Sequence, residues 1–319
     1  MPLLDMPLDK LRTYEGRNPR PADHDSYWAA ALAELDATPP APRFTDAAVR
    51  IPGVICRDLW FAGVGGARVH AKYLRSATAT GRTPCMLLFH GYSGHAGEWA
   101  NLCNWVAMGA TVLALDVRGQ AGQSQDNQAV DGWTLQGHIV RGLGDRPEKL
   151  LFRSVFLDCA QMARIALALP EIDPARVVAH GGSQGGALTI ACAALEPRVS
   201  RAAPVYPFLS DYRRVWEMDL AKDAYGELRE WFRRFDPLHQ REDEIFTRLG
   251  YIDIQFLAPR IRAQVLMGVG LMDPICPPST QFAAYNRMTC SKDLLIYPDF
   301  GHEGLPGAND RFAEFLLGS

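Results

Sequence analysis

Residues 176–195 read RVVAHGGSQGGALTIACAAL, a β-branched apolar run, a glycine-rich turn and a run of small helix-forming residues in succession. The run 176–180 suits a strand buried on both faces, and 187–195 suits a helix packed closely against its neighbours. Between them Gly181, Gly182, Ser183, Gln184, Gly185 and Gly186 spell Gly-x-Ser-x-Gly in strand-turn-helix context. A serine on so sharp a turn takes strained dihedrals, and side chains beside it would collide with the adjoining strand and helix. Gly181, Gly185 and Gly186 meet that demand, so Ser183 reads as a nucleophile.

Working outward, short apolar runs bounded by Gly, Pro or Asp recur at 85–90, 111–116, 201–206, 264–269 and 293–297. Leu151, Val155, Cys159, Met162, Ala166 and Leu169 fall at helical spacings of three and four, and Pro170 stops that helix. Alternating strands and helices predict an α/β architecture, a mostly parallel sheet with helices on both faces and right-handed crossovers. Residues 49–61 and 68–74 flank a turn with Gly63, Gly65 and Gly66, predicting an antiparallel N-terminal hairpin at one edge of the sheet. No helix opens after these glycines, so they are a turn and not a dinucleotide site. From 211 to about 256 the rhythm lapses into a charged, aromatic stretch with Trp216, Tyr225, Trp231 and Phe235, read as a helical insertion over the C-terminal ends of the strands. Without repeats or low-complexity segments, 1–319 reads as one domain.

Composition narrows the function. Lys+Arg 33 nearly balances Asp+Glu 36, so a net charge of −3 gives no basic field for nucleic acid. No apolar run approaches a membrane span, and Asp5 and the prolines Pro2 and Pro7 stand where a leader would be basic and then apolar. A soluble, cytoplasmic chain is expected. Seven scattered cysteines without a Cys-x-x-Cys pair supply neither a zinc ribbon nor a disulfide framework, and no metal or organic cofactor is called for.

A serine hydroxyl needs a base within reach and a carboxylate to orient that base. In α/β-hydrolases the chain order is Ser, acid, His. Asp273 follows the run ending at Val269, and His302 follows the last predicted strand. His24 and His70 come too early, His138 lies in a long loop, His239 lies in the insertion, and His90 and His180 end strands as structural residues. Of the alternative acids, Asp116 precedes the nucleophile and Asp299 is too near His302 to orient it. The oxyanion of acyl transfer needs two backbone N–H donors. Gln184, after the nucleophile, supplies one, and Tyr92, in the loop His90-Gly91-Tyr92-Ser93-Gly94, is nominated for the other. Because the base must be neutral, activity is expected to fall on acidification through the range where a free imidazole protonates, about 6.5.

Several motifs now coincide: Arg118-Gly119-Gln120, the serine elbow with Gln184, His302-Glu303, Tyr14 to Pro19, His90-Gly91-Tyr92, and Gly270 to Asp273 with Pro277 to Thr280. Together they resemble the acetyl xylan esterase and cephalosporin C deacetylase family, carbohydrate esterase family 7, over nearly the whole chain. The resemblance implies an intracellular α/β-hydrolase that deacetylates small acetylated sugars, with side activity on acetylated cephalosporins. It implies the triad Ser183, Asp273 and His302, with Tyr92 and Gln184 at the oxyanion and Arg118, Gln120 and Glu303 bracing the site. It also implies a homohexamer whose sites face an inner cavity, with hairpin and insertion as interface elements. His24 departs from an expected aromatic, and Pro274 directly after the acid restricts Asp273. Tyr92 and Ile275 are placed to wall a shallow acyl pocket, which would disfavour longer acyl groups by only ~1–3 kcal/mol per methylene. Fold alone leaves a general short-chain esterase, a lactonase or a peptidase as the alternative enzyme, and a non-catalytic module as the alternative class.

Overall fold

The structure, a computed structural model, describes residues 4–131 and 137–318. Among these, β1 (Arg43–Asp46), β2 (Val54–Gly63), β3 (Ala67–Ser76), β4 (Thr83–Phe89), β5 (Thr111–Leu115), β6 (Ile172–Gly182), β7 (Arg201–Val205), β8 (Gln264–Gly270) and β9 (Lys292–Tyr297) form one sheet. Its order is β1-β2-β3-β5-β4-β6-β7-β8-β9. The first three strands pair antiparallel, as does β3 with β5, and the remaining neighbours are parallel.

Helices α1 (Leu8–Leu11) and α2 (His24–Asp36) precede the sheet, while α3 (Trp99–Ala107), α4 (Leu151–Ala168) and α5 (Gln184–Leu195) link its central strands. The insertion holds α6 (Tyr212–Glu217), α7 (Gly226–Phe235), α8 (Glu242–Leu249) and α9 (Ile254–Leu257), and α10 (Pro278–Arg287) and α11 (Ala308–Leu317) follow β8 and β9.

Why the helices divide between two faces is visible in single strands. Leu113 and Leu115 of β5, with Leu87 of β4 and Val177 of β6, join one apolar cluster with α4 and α5. Their alternate neighbours Val112, Ala114, Met86 and Val178 join a second cluster with Leu102 and Val106 of α3 and Phe312 of α11. A period of two in a strand apolar at every position gives both faces something to bury. Full burial of a Leu, Val or Phe side chain contributes about 1.5–3 kcal/mol, so each face carries a substantial part of the stability. Because β5 and β6 lie on opposite sides of β4, the chain reverses direction across the sheet between β4 and β6. In open α/β sheets such a reversal opens a crevice beyond the carboxyl ends of the strands. Ser183 follows β6 there, and the Tyr92 loop follows β4.

Two expectations are corrected. The hairpin β2–β3 is not outermost, since Arg43–Asp46 adds a further antiparallel strand, and β2 begins at Val54, with Val49 and Ile51 packing on the second cluster. The insertion also runs past 256, through a last turn at Ala258–Arg260. It is anchored at its start by Asp211, whose carboxylate accepts from the Tyr14 hydroxyl (2.8 Å) and the N–H groups of Arg17 (2.9 Å) and Asn18 (2.7 Å). His24, standing where an aromatic was expected, is fully buried edge-on to Phe256. Burial, reinforced by Arg20 and Arg260, lowers its pKa to about 4, so it packs as a neutral ring. All seven cysteines are free thiols. Residues 1–3, part of the segment judged unlike a leader, lie outside the described residues; among those described, no helix is long and apolar enough to cross a membrane.

Candidate active site

Ser183 sits between β6 and α5 with φ 58° and ψ −120°, a conformation costly for a residue with a Cβ. Close approach enforces the flanking glycines: a Cβ on Gly181 would lie 2.5 Å from the carbonyl oxygen of Phe89 and 2.7 Å from the backbone of Gly185. The serine is held by its own backbone, donating to Val205 O (3.0 Å) and accepting from Phe208 N (3.0 Å). Gln184, the residue nominated for one oxyanion N–H, is the first of α5, where helix amides point outward unpaired and the dipole favours negative charge.

Asp273 lies beyond the end of β8, fully buried. Pro274 offers no N–H, and the next two residues serve instead: Ile275 N (2.9 Å) and Cys276 N (2.8 Å) both donate to Oδ1. The other oxygen, Oδ2, faces His302 Nδ1 at 2.8 Å and accepts from Gln281 Nε2 at 3.3 Å. Pro274 therefore leaves the carboxylate aimed at the imidazole. His302 is half-buried with its ring 4.5 Å from that of Tyr206, and the exposed Glu303 accepts from Gly301 N (3.0 Å), tightening the loop that carries it.

The bracing residues divide. Gln120 and Gln184 exchange side-chain amide hydrogen bonds, at 2.7 and 3.0 Å, and so tie the loop after β5 to the elbow. Arg118 points elsewhere: its guanidinium forms a buried bidentate pair with Asp158 of α4, both contacts 2.6 Å, against the hairpin turn at Gly63. It braces the hairpin against α4, a correction to its assignment at the site. Ile275 is half-buried beside the acid. Asp116 is engaged with His70 Nδ1 (2.7 Å) and the N–H groups of Ala96 and Gln123; burial works to raise its pKa, but these donors outweigh it and bring it to about 2. Asp299 is exposed.

Three further neighbours complete the surroundings: Cys276, whose closeness to Asp273 in sequence was noticed without a role, His138, passed over as a base, and Glu227, which had no sequence signal. Cys276 is fully buried, and burial, with the Asp273 charge, pushes its thiol well above the usual range against the lowering influence of Ser183. Potential ligand atoms of Asp273, Cys276 and His302 lie within 4.8 Å of one another, with the acid and imidazole already hydrogen-bonded together. His138 packs edge-on to the Tyr92 ring (4.8 Å) and meets Ser93 Oγ at 3.0 Å. Glu227 of α7 accepts from the Tyr92 hydroxyl.

A mostly parallel sheet with helices on both faces, a serine elbow at its switch point and an Asp–His pair in the loops after β8 and β9 defines an α/β-hydrolase. Within that class the chain belongs to the acetyl xylan esterase family, a family of acetyl esterases, whose model matches residues 1–318. The structure is similar to acetyl xylan esterase 1 from Thermoanaerobacterium sp. JW/SL YS485, with 53% identity and a TM-score of 0.96 over 98% of this chain and 99% of that one. It is also similar to an acetyl xylan esterase from Paenibacillus sp. R4, with 35% identity and a TM-score of 0.92 over 98% and 99%. An acetyl esterase of Xylanibacter ruminicola, Axe7A, is 26% identical over 87% of this chain, which spans 62% of that relative's length.

Proposed function

We propose that the chain is an acetyl esterase that removes acetyl groups from small acetylated carbohydrates, acetyl xylo-oligosaccharides foremost, through an acetyl-enzyme intermediate on Ser183. The Ser183 Oγ attacks the acetyl carbonyl carbon as His302 takes its proton. The tetrahedral oxyanion rests on the N–H groups of Tyr92 and Gln184, the C–O bond to the sugar breaks, and His302 returns the proton to the departing oxygen. Water then attacks the acetyl-enzyme with His302 again as base, releasing acetate and the free serine. Asp273 keeps the imidazole in one tautomer throughout. The observations that support this reading are a serine at positive φ on the strand-to-helix turn and, in the loops after β8 and β9, an imidazole held 2.8 Å from a fully buried carboxylate.

Tyr92 and Ile275 limit the acyl group to about acetyl size, and acetylated cephalosporins are accepted as a side activity, because the leaving alcohol takes no part in the acyl pocket. A cytoplasmic homohexamer acting on small substrates completes the reading, with no nucleic acid, membrane, metal or organic cofactor required.

Initial rates on p-nitrophenyl acetate, butyrate and octanoate and on acetylated xylo-oligosaccharide test it, together with intact-mass analysis of acid-quenched enzyme. Acetate-restricted turnover, an acetylated protein, and a loss on the order of 10⁴–10⁶-fold in Ser183→Ala are expected. A preference for octanoate, or turnover that survives Ser183→Ala, would overturn it. A monomer at micromolar concentration would remove the hexamer.

A further inference from the structure

We propose that Glu227, carried by the first turn of α7 in the insertion, is a positioning residue for acyl transfer, fixing the Tyr92 ring and with it the backbone N–H assigned to the oxyanion. The proposal deepens the deacetylase reading and rests on it.

Tyr92 is clamped at both ends of its side chain. Its hydroxyl donates to Glu227 Oε1 and accepts from His138 N at 3.0 Å, while the second carboxyl oxygen of Glu227 accepts from Val140 N at 2.9 Å. Its ring lies edge-on to His138 (4.8 Å) and to Phe208 (5.4 Å). Phe208 donates its own N–H to the backbone oxygen of Ser183 at 3.0 Å, so the residue that packs Tyr92 also holds the nucleophile. One carboxyl group thus gathers the loop after β4, the segment at 138–140 and α7. An oxyanion donor works only if it is already in place when charge develops, and small misplacements of catalytic groups are costly.

The charge of Glu227 matters as well as its position. A carboxylate behind the oxyanion loop would oppose the negative charge that grows on the substrate. Burial raises Glu227 to about 8, against the lowering effect of the Val140, His138 and Ile139 N–H groups, so near neutral pH the protonated acid prevails. Among the described residues, the titratable groups facing it are Tyr92 from the loop after β4 and, across that ring, His138, which burial lowers to about 4 and keeps neutral. On α7 itself Arg229 pairs with Asp219, and Arg234 with Glu230. Ionisation of Glu227 above pH 8 then costs activity on the alkaline side, separate from the acid limb set by the catalytic base.

Steady-state kinetics on p-nitrophenyl acetate from pH 6 to 10 test this with Glu227→Ala, Glu227→Gln, Tyr92→Phe and the double variant Glu227→Ala/Tyr92→Phe. Glu227→Ala is expected to lower kcat on the order of 10–100-fold with KM within about twofold, as for an interaction made only in the transition state. Glu227→Gln, neutral at every pH, should recover most of that kcat and stay level above pH 8 where the wild type declines. Tyr92→Phe should lose as much as Glu227→Ala, and the double variant no more than either. A folded Glu227→Ala with wild-type kcat, a loss borne by KM, or an unchanged alkaline decline in Glu227→Gln would overturn the proposal. Should Glu227→Ala not fold, the Gln profile and Tyr92→Phe decide it. Failure of the underlying deacetylase reading would appear separately, as turnover that persists in Ser183→Ala.

Discussion

The serine elbow and the helical insertion reach the same centre by opposite means. The elbow places Ser183 and Gln184 with main chain: a positive φ, glycines where a Cβ would strike the end of β4, and hydrogen bonds from and to neighbouring backbone. The insertion reaches the centre with a side chain, as Glu227 crosses 135 residues of sequence to meet Tyr92. Backbone-built geometry is inseparable from the fold, so altering it should cost stability and rate together. Side-chain geometry can be altered while the sheet stays whole.

Gly185→Ala presses hardest on the backbone half of that contrast. A Cβ at 185 has no room against the Phe89 carbonyl and lies 3.2 Å from that of His90. Either β4 or the elbow must shift. Overpacking of this kind costs about 1–3 kcal/mol, and displacing catalytic groups by about 1 Å costs on the order of 100-fold in rate. Thermal unfolding and kcat measured on one preparation should fall together. A variant that loses rate at undiminished stability would show the elbow to be as separable as the insertion.

Gln120→Ala sits between the two extremes, since it belongs to the sheet side but acts through a side chain. Its amide pair with Gln184 steadies the first residue of α5. Losing it should cost about 1 kcal/mol of positioning, the usual net value of a hydrogen bond, read as a roughly fivefold lower kcat with the melting temperature nearly unchanged. A loss carried by stability instead would move Gln120 into the backbone-built class.

The same contrast explains what could be read from sequence. The strand, elbow and helix around Ser183 are contiguous, and their chemistry is local, so 176–195 announces them. Asp273 and His302 follow from chain order because each ends a recognisable apolar strand. Arg43–Asp46 escaped notice because four residues with exposed ends carry no periodicity. Arg118 was assigned to the site by resemblance alone, and nothing in the sequence pointed to its partner, Asp158, which is hidden in a helix that reads as an apolar stripe. Glu227 stands in a run of charges, GELREWFRRF, where nothing distinguishes a buried acid from the solvated Glu230 one turn on. Its environment is made by residues far away in sequence, and only the fold brings them together.

The smallest expected effect asks whether the insertion touches catalysis at any point besides Glu227. Asp236, just past α7, accepts from the backbone N–H groups of Gln240 (2.9 Å) and Arg241 (2.7 Å) and so secures the turn into α8. It is buried but has no contact with Tyr92 or the elbow among its hydrogen bonds. Losing a hydrogen bond of this kind costs about 0.5–1.5 kcal/mol. Asp236→Ala should therefore lower the unfolding midpoint by a few degrees while kcat and KM on p-nitrophenyl acetate stay within about twofold of wild type. If kcat fell as it is expected to for Glu227→Ala, the insertion would be acting as a body, through its overall seating on the strand ends. The assignment of its catalytic contribution to one carboxyl group would then give way to a distributed one.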